Sequence, residues 1–215
     1  LALSGAAKLA PEVAAAVGEK LGLRLTEGYG LTETAPVVAS GFGHDAPLGS
    51  VGRPLPGVEV RLVDDDGDDV LVGDPGEVWV RGPNVFQGYW NDPEATAAVL
   101  DADGWLHTGD LAVVDDHGCL HLVDRVKDLI IVSGFNVYPS EVESVLMEHP
   151  AVRGAVVVGE ADVDTGETVV AHVLGSVTED ELHEWACANL SRYKCPTAYR
   201  FVDELPVAPT GKLIR

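Results

Sequence analysis

The chain has 215 residues, 46% of them hydrophobic, enough to bury a core in one domain or two. Its 35 acidic against 14 basic side chains leave a net charge of -21, which repels phosphate backbones and anionic lipid and argues against nucleic acid as a partner. No run of about 18 apolar residues exists, so no membrane span is expected, and the three cysteines, Cys119, Cys187 and Cys195, form no CxxC pair and suit a reducing, cytoplasmic compartment.

The opening LALSGAAKLAPEVAAAVGEK begins on Leu1 with no basic stretch ahead of an apolar one, so it reads as the middle of a longer polypeptide rather than a signal peptide. A loop, a helix and a strand are expected over the first 25 residues. Pro11 suits a first helical turn, Val13, Val17 and Leu21 are spaced for one face, and Gly22 can end it. From about Gly49 to Val123, short alternating segments such as VEVRLV, GEVWVRG and LAVVDDHGCLHLV are cut by Gly, Pro and Asp turns, the texture of a β-rich barrel or sandwich piece. Its acidic run VDDDGDDV (Val63 to Val70) reads as a solvated hairpin end and lacks the ligand spacing of an EF-hand.

After DRVKDLIIVSGFNVYP the texture changes to alternating helices and strands. Ser140 with Glu143 predicts a capping box ahead of a helix with Val142, Val145, Leu146 and His149 on one face, and Thr178 with Glu181 predicts a second ahead of Leu182, Trp185 and Ala186. Between them, AVVVGEADVDTGETVVAHVL predicts two strands around an acidic glycine turn. A short, charged boundary falls near Asp124 to Asp128.

Four stretches concentrate residues with chemistry: EGYGLTET (27 to 34), GWLHTGDL (104 to 111), DRVKDLIIVSGFNVYPSEVE (124 to 143) and LPVAPTGKLIR (205 to 215). Singly, each has a bland explanation: Tyr29 as a core aromatic, Asp110 as a turn former, Arg125 as a surface charge, Lys212 as a loop lysine. A Walker A reading of TGK fails, because Pro206 stands at the first glycine position and Leu213 at the Ser/Thr position. Taken together and in this order, the four stretches resemble the adenylate-forming (AMP-binding) enzyme superfamily, specifically acyl-CoA synthetases such as the fatty-acid CoA ligases, over nearly the whole chain.

The resemblance implies an α+β fold: residues 1–125 as the β-rich C-terminal part of a large adenylation domain, and 126–215 as a small, mobile, mixed α/β C-terminal domain. It implies that Tyr29 stacks on adenine with Gly30 beside it, while Gly5, Ala6 and Ala7 line the other ring face. Thr32 would reach a phosphate oxygen and Glu33 would hold Mg²⁺, a hard cation that wants oxygen ligands. Asp110 would accept the ribose hydroxyls and Arg125 would assist at the ribose. Lys212 would bridge the acid's carboxylate and the α-phosphate, where negative charge builds. Lys127 would be the hinge of the small domain, and Gly134 would line the path of coenzyme A's pantetheine arm. The implied reaction joins a carboxylic acid to ATP, giving an acyl-adenylate and pyrophosphate, and then transfers the acyl group to the thiol of coenzyme A. Positioning and electrostatics suffice for both displacements, so no protein nucleophile is required.

The sequence departs from the family pattern in one respect: the Ser/Thr/Gly-rich phosphate loop is absent, and SGAAK (Ser4 to Lys8) is too short to replace it. The expectation is therefore the C-terminal portion of a ligase, inactive without the rest of the same enzyme. Alternatives are an adenylating domain that loads a carrier protein, for which YGPTE is the more usual texture than YGLTET, and a non-catalytic binding module on the same fold.

Overall fold

The computed structural model describes residues 2–5, 9, 11–43 and 45–205, and the chain forms two compact units, Leu1–Val123 and Asp124–Arg215. The first opens with β1 (Ala2–Ser4), α1 (Pro11–Leu21) and β2 (Leu25–Tyr29). The two strands pair in parallel, with Ala2 opposite Leu25 and Ser4 opposite Glu27, and the helix supplies the crossover that a parallel pair needs. Gly22 ends α1 in the left-handed region at φ 62°, its N–H on the Gly18 carbonyl at 3.0 Å. The face expected to be apolar is covered only in part among the described residues: Val17 is half-buried, while Val13 and Leu21 are 51% and 65% exposed. Periodicity locates a helix but not the surface that packs against it.

Strands β3 (Ala39–Ser40) and β4 (Arg53–Pro54) continue this sheet in antiparallel fashion. A second four-stranded sheet follows, built from β5 (Glu59–Val63), β6 (Gly76–Arg81), β7 (Leu106–Val114) and β8 (Leu120–Arg125) in that linear order, so the β-rich segment forms open sheets rather than a closed barrel. The connection between β6 and β7 holds a helix not expected in the β-rich segment, α2 (Pro93–Val99), in which Pro93 opens the first turn and Asp92 accepts the Ala95 N–H at 2.9 Å. Along β6, Gly76, Val78 and Val80 are buried and alternate with half-buried Glu77, Trp79 and Arg81. The inward valines join Tyr29, Val38, Ala39, Val51, Leu62, Ala112 and Leu120 in one apolar core, and each fully buried valine contributes roughly 1.5–3 kcal/mol of transfer free energy. The two sheets are tied where Leu120 N–H meets the Gly52 carbonyl at 2.8 Å and Val51 N–H meets Leu120 at 2.9 Å. Gly52 is obligatory there: φ is 82°, and a Cβ would lie 2.1 Å from the Ser40 carbonyl. The acidic run closes a hairpin as expected, with Asp64 Oδ1 accepting the N–H groups of Asp66 and Asp68 at 3.0 and 2.9 Å.

In the second unit, a 3₁₀ turn over Val126–Asp128 leads into the hairpin of β9 (Ile130–Val132) and β10 (Phe135–Val137), then α3 (Pro139–Met147), β11 (Val152–Asp162), β12 (Gly166–Gly175), α4 (Glu179–Asn189) and β13 (Ala198–Phe201). The sheet runs β10-β9-β12-β11, and β13 lies parallel against β12. Val142 and Leu146 of α3, Leu182 and Ala186 of α4, and Val157, Val169, Ala171 and Val173 of the sheet share a second core. The predicted hairpin around the acidic turn is present, with Asp162 Oδ1 accepting from Asp164 N, Thr165 N and Thr165 Oγ1 at 3.0, 2.9 and 2.8 Å. Thr178 caps α4, accepting the Glu181 N–H at 3.3 Å. The Ser140 capping box does not form. Helix α3 begins two residues earlier than that box requires, at Pro139, with Tyr138 in the cap position. The Ser140 N–H instead donates to Asp124 Oδ2 at 2.8 Å, and Glu143 is buried, accepting the Val157 N–H at 2.9 Å. Glu143 therefore fixes the helix to the sheet rather than capping it, through a charge-assisted bond worth about 1.5–3 kcal/mol.

Candidate active site

The EGYGLTET residues leave the C-terminal end of β2. Because β1 is parallel to β2, Gly5 emerges at the same edge, and a Cβ on Gly5 would lie 3.9 Å from the Gly28 carbonyl. Ligands of open α/β folds bind at the carboxyl ends of parallel strands. Ala6 and Ala7, expected beside Gly5, lie outside the described residues, as does Lys212.

Gly30 is glycine for want of space, since a Cβ there would lie 1.7 Å from the Pro36 carbonyl oxygen. The chain then makes a 3₁₀ turn over Thr32–Thr34. Thr34 is buried, and its hydroxyl accepts the Leu31 N–H at 3.0 Å while facing the Leu31 and Pro36 carbonyls at 3.0 and 3.1 Å. Asn84, beyond β6, braces the same turn from outside by donating Nδ2 to the Thr34 and Val37 carbonyls at 3.0 and 2.9 Å. Phe86 N–H meets the Glu33 carbonyl at 2.8 Å. With its backbone so held, the Glu33 side chain is fixed by Tyr89, whose hydroxyl donates to Oε1 at 2.8 Å. That bond raises the Tyr89 phenol above its ordinary range. Thr32 is exposed beside it.

Asp110 reaches the same unit by a different device. Glu77 pairs with Leu111 and Trp79 with His107, so Thr108, Gly109 and Asp110 together stand opposite Val78. This bulge turns the strand locally and re-aims its side chains. Gly109 takes φ 69° in it, its N–H on Glu77 Oε1 at 2.9 Å. Thr108 Oγ1 donates to the Val78 carbonyl at 2.7 Å and accepts the Asp110 N–H at 3.1 Å. The outcome is a direct contact between two stretches 81 positions apart: the Tyr29 hydroxyl donates to Asp110 Oδ2 at 2.8 Å. The Tyr29 ring itself is buried, 7% exposed, in the core of the first unit.

The remaining sequence-predicted residues belong to the second unit. Arg125 and Lys127 are exposed at the end of β8 and in the following 3₁₀ turn. Gly134 sits in the two-residue connection of the β9–β10 hairpin, where Ser133 and Gly134 have φ 50° and 81°, the left-handed pair that such tight hairpins demand. A Cβ on Gly134 would meet nothing within 4 Å. Next to it, Phe135 stacks on Tyr193 at 4.9 Å, and Lys194 Nζ donates to both Glu141 oxygens at 2.7 Å.

Three supporting residues went unnoticed in the sequence. Asn84 and Tyr89 lie in RGPNVFQGYWND, whose density of polar and aromatic residues in a turn-rich connection was the available signal. Glu27 is buried beside the motif and accepts the Leu9 and Gly49 N–H groups, each at 3.1 Å. Its sign was an acidic residue inside an otherwise half-apolar strand.

The chain is similar to known proteins along nearly its whole length. Residues 1–90 match the AMP-binding enzyme family, and residues 141–212 match the AMP-binding enzyme C-terminal domain. The chain belongs to the adenylate-forming, AMP-binding enzyme family. Among its relatives, the long-chain-fatty-acid–CoA ligase of Escherichia coli O157:H7 is 48% identical over 198 residues, which are 90% of this chain and 35% of that protein. The ATP-bound structure of MatB from Rhodopseudomonas palustris superposes with a TM-score of 0.91 at 37% identity, covering 98% of this chain and 43% of that one. The o-succinylbenzoate CoA synthetase of Bacillus subtilis, in complex with its acyl-adenylate intermediate, gives 0.86 at 37% identity, covering 98% and 44%. The chain thus spans well under half the length of these proteins.

Proposed function

We propose that this chain is the nucleoside-holding part and the small domain of an ATP-dependent, AMP-forming acid–CoA ligase, with the phosphate loop and most of the acid pocket belonging to the remainder of a longer enzyme. The observation that carries this reading is the 2.8 Å hydrogen bond between Tyr29 and Asp110, which joins the residue proposed for adenine to the one proposed for ribose. A hydroxyl fixed on a carboxylate holds ring and acceptor in one arrangement before nucleotide arrives, and preorganisation of this kind lowers the cost of binding. The 48% identity to a long-chain-fatty-acid–CoA ligase supports a fatty acid as the carboxylic substrate and coenzyme A as the acceptor.

Each side chain then has one task. Asp110 accepts the ribose hydroxyls, Arg125 assists there, and Thr32 donates to a phosphate oxygen. Glu33 is a single carboxylate held by Tyr89, and among the described residues no group of three or more His, Cys, Asp or Glu forms a metal cage. That donor set suits Mg²⁺, which keeps several waters and takes one or two carboxylates along with substrate phosphates. Bound there, the ion would spread the phosphate charge during transfer. Lys212 meets the carboxylate and α-phosphate as they approach.

The test is acid-dependent exchange of pyrophosphate into ATP by the complete enzyme. Asp110→Ala should reduce kcat/KM for ATP by roughly 10- to 100-fold, the worth of one or two hydrogen bonds to a charged acceptor, with the KM for the fatty acid unchanged. Unaltered ATP kinetics would overturn the assignment. A chain limited to these 215 residues should bind ATP weakly at most, and micromolar affinity by calorimetry would contradict the proposed division of labour.

A further inference from the structure

The strand that carries Asp110 has more residues than its partner can pair. Thr108, Gly109 and Asp110 of β7 stand opposite the single residue Val78 of β6, and a bulge of this kind takes backbone N–H groups out of the ladder. Two side chains replace the lost partners. Thr108 Oγ1 accepts the Asp110 N–H at 3.1 Å, and Glu77 Oε1 accepts the Gly109 N–H at 2.9 Å. The other Glu77 oxygen is engaged as well, accepting the Trp79 Nε1–H at 2.9 Å. Glu77 and Trp79 are alternate residues of β6, so both stand on one face of the sheet. The indole is held there from both neighbouring strands, because Arg61 and His107 lie directly opposite it. It stacks on His107 at 3.8 Å with the planes 9° apart, and the Arg61 guanidinium lies 5.6 Å from the ring centroid. The Glu77 carboxylate therefore bridges a fixed ring and the peptide that precedes Asp110.

We propose that Glu77 is a positioning residue of the nucleotide site: acting through the Gly109 peptide, it sets the direction of the Asp110 carboxylate and so decides how strongly the enzyme prefers a ribose over a deoxyribose. The inference rests on the ribose role proposed for Asp110. The Tyr29 hydroxyl holds one Asp110 oxygen at 2.8 Å, but the direction from which the carboxylate arrives is set by the backbone at 109 and 110. Gly109, at φ 69° and without a Cβ, has a wide choice of conformations, and its bond to Glu77 selects one. A carboxylate suits that task because it only accepts, one N–H on each oxygen, and a charged acceptor makes the stronger bond. An amide in its place has one acceptor oxygen for two N–H donors, and its own NH₂ would face the second of them. Hydrogen bonds weaken steeply as they bend. A turned Asp110 therefore loses the ribose hydroxyls, while contacts to phosphate and acid, made by other residues, persist.

In the complete enzyme, acid-dependent pyrophosphate exchange is measured with ATP, 2′-deoxy-ATP and 3′-deoxy-ATP, and kcat/KM for ATP is divided by that for each analogue. Wild type should favour ATP by roughly 10-fold or more over either analogue, the worth of one hydrogen bond to a charged acceptor. Asp110→Ala should abolish the preference, and Glu77→Ala should reduce it to less than about 3-fold, with the KM for the fatty acid unchanged. Glu77→Gln should fall between Glu77→Ala and wild type. Trp79→Phe keeps a ring beside His107 and frees only Oε2 of Glu77, so it should retain most of the preference. Each ratio is taken within one preparation, so a variant that is merely unstable loses both rates together and keeps the wild-type ratio. A role confined to holding the sheet would thus leave the preference intact. The proposal is overturned if Glu77→Ala, or Glu77→Gln should the alanine variant not fold, keeps the full preference while Asp110→Ala abolishes it. A full preference in Asp110→Ala would instead show that Asp110 does not meet the ribose, and would overturn that assignment and this inference together.

Discussion

The two units hold their candidate residues in opposite ways. In the first, the EGYGLTET turn and the side chains of Glu33 and Tyr29 are held by groups far away in sequence: Asn84 and Phe86 on the backbone, Tyr89 on Glu33, Asp110 on Tyr29. In the second, Lys127 and Gly134 sit exposed on short turns, and Gly134 has open space around it. The glycines make the same contrast. Gly30 is required because backbone lies where a Cβ would be, whereas Gly134 is required because its hairpin needs positive φ. Under the function proposed above, a fixed wall for the nucleoside and a separate unit with exposed turns would suit a two-step reaction in which one half reaction must release contacts that the other demands.

The largest effect expected from testing this contrast is at Gly30. Gly30→Ala puts a methyl group 1.7 Å from the Pro36 carbonyl oxygen, so the turn carrying Thr32 and Glu33 must move. Overpacking against backbone costs about 3 kcal/mol or more. Denaturant unfolding should register that loss, and both half reactions should disappear in the complete enzyme. A variant of wild-type stability would mean the turn is loose, and the fixed wall with it. Next is Lys212→Ala. Loss of a preorganised donor to developing charge should slow pyrophosphate exchange by roughly 10²-fold or more, while thioester formation from synthetic acyl-adenylate stays near the wild-type rate. Equal damage to both rates would show that Lys212 supports the whole fold instead.

How far the sequence foretold this contrast depends on the kind of interaction. Part of the local chemistry was legible: Thr178 caps the helix it precedes, Asp64 and Asp162 fold their own turns, and β6 alternates as written, whereas the helix that Asp92 caps inside the β-rich segment was not foreseen. Ser140 and Glu143 had the same local signature and misled, because a proline one position earlier started the helix and two distant groups claimed both polar partners. The residues proposed to meet nucleotide could be named from the family resemblance of their motifs. Their supports could not, because Asn84, Tyr89 and Glu27 act through contacts that only the folded chain brings together, and the bulge that aims Asp110 is a register shift with no letter of its own.

The exposed turns are tested by Lys127→Pro. The 3₁₀ turn closes through Leu129 N–H on the Val126 carbonyl at 3.3 Å, a bond the substitution leaves in place. Fixing φ at position 127 should therefore spare the resting fold and hinder rotation of the small domain. The measurement is the two half reactions separately: one should persist at a rate near wild type and the other should fall by roughly 10-fold or more. Uniform loss with intact folding would argue that the units do not turn about this residue.

The smallest effect, and the finest probe of the fixed wall, is Tyr89→Phe. It removes the hydroxyl that holds Glu33 Oε1 but keeps the ring that packs edge to face on Phe86 at 4.9 Å. The lost bond is worth about 0.5–1.5 kcal/mol, so the exchange rate should fall only several-fold, with a higher Mg²⁺ requirement if the released carboxylate wanders. The pH dependence separates this bond from packing. The Tyr89 phenol is raised in the folded chain, and a phenol with a raised value stabilises the fold while it is protonated. That contribution is complete below its ordinary value of about 10 and is lost as pH rises through the higher folded value. The stability difference between wild type and Tyr89→Phe should hence be constant from about pH 6 to 9 and shrink only above about pH 10. A difference already vanishing near neutrality would mean that some group other than the Tyr89 hydroxyl holds Glu33 in place.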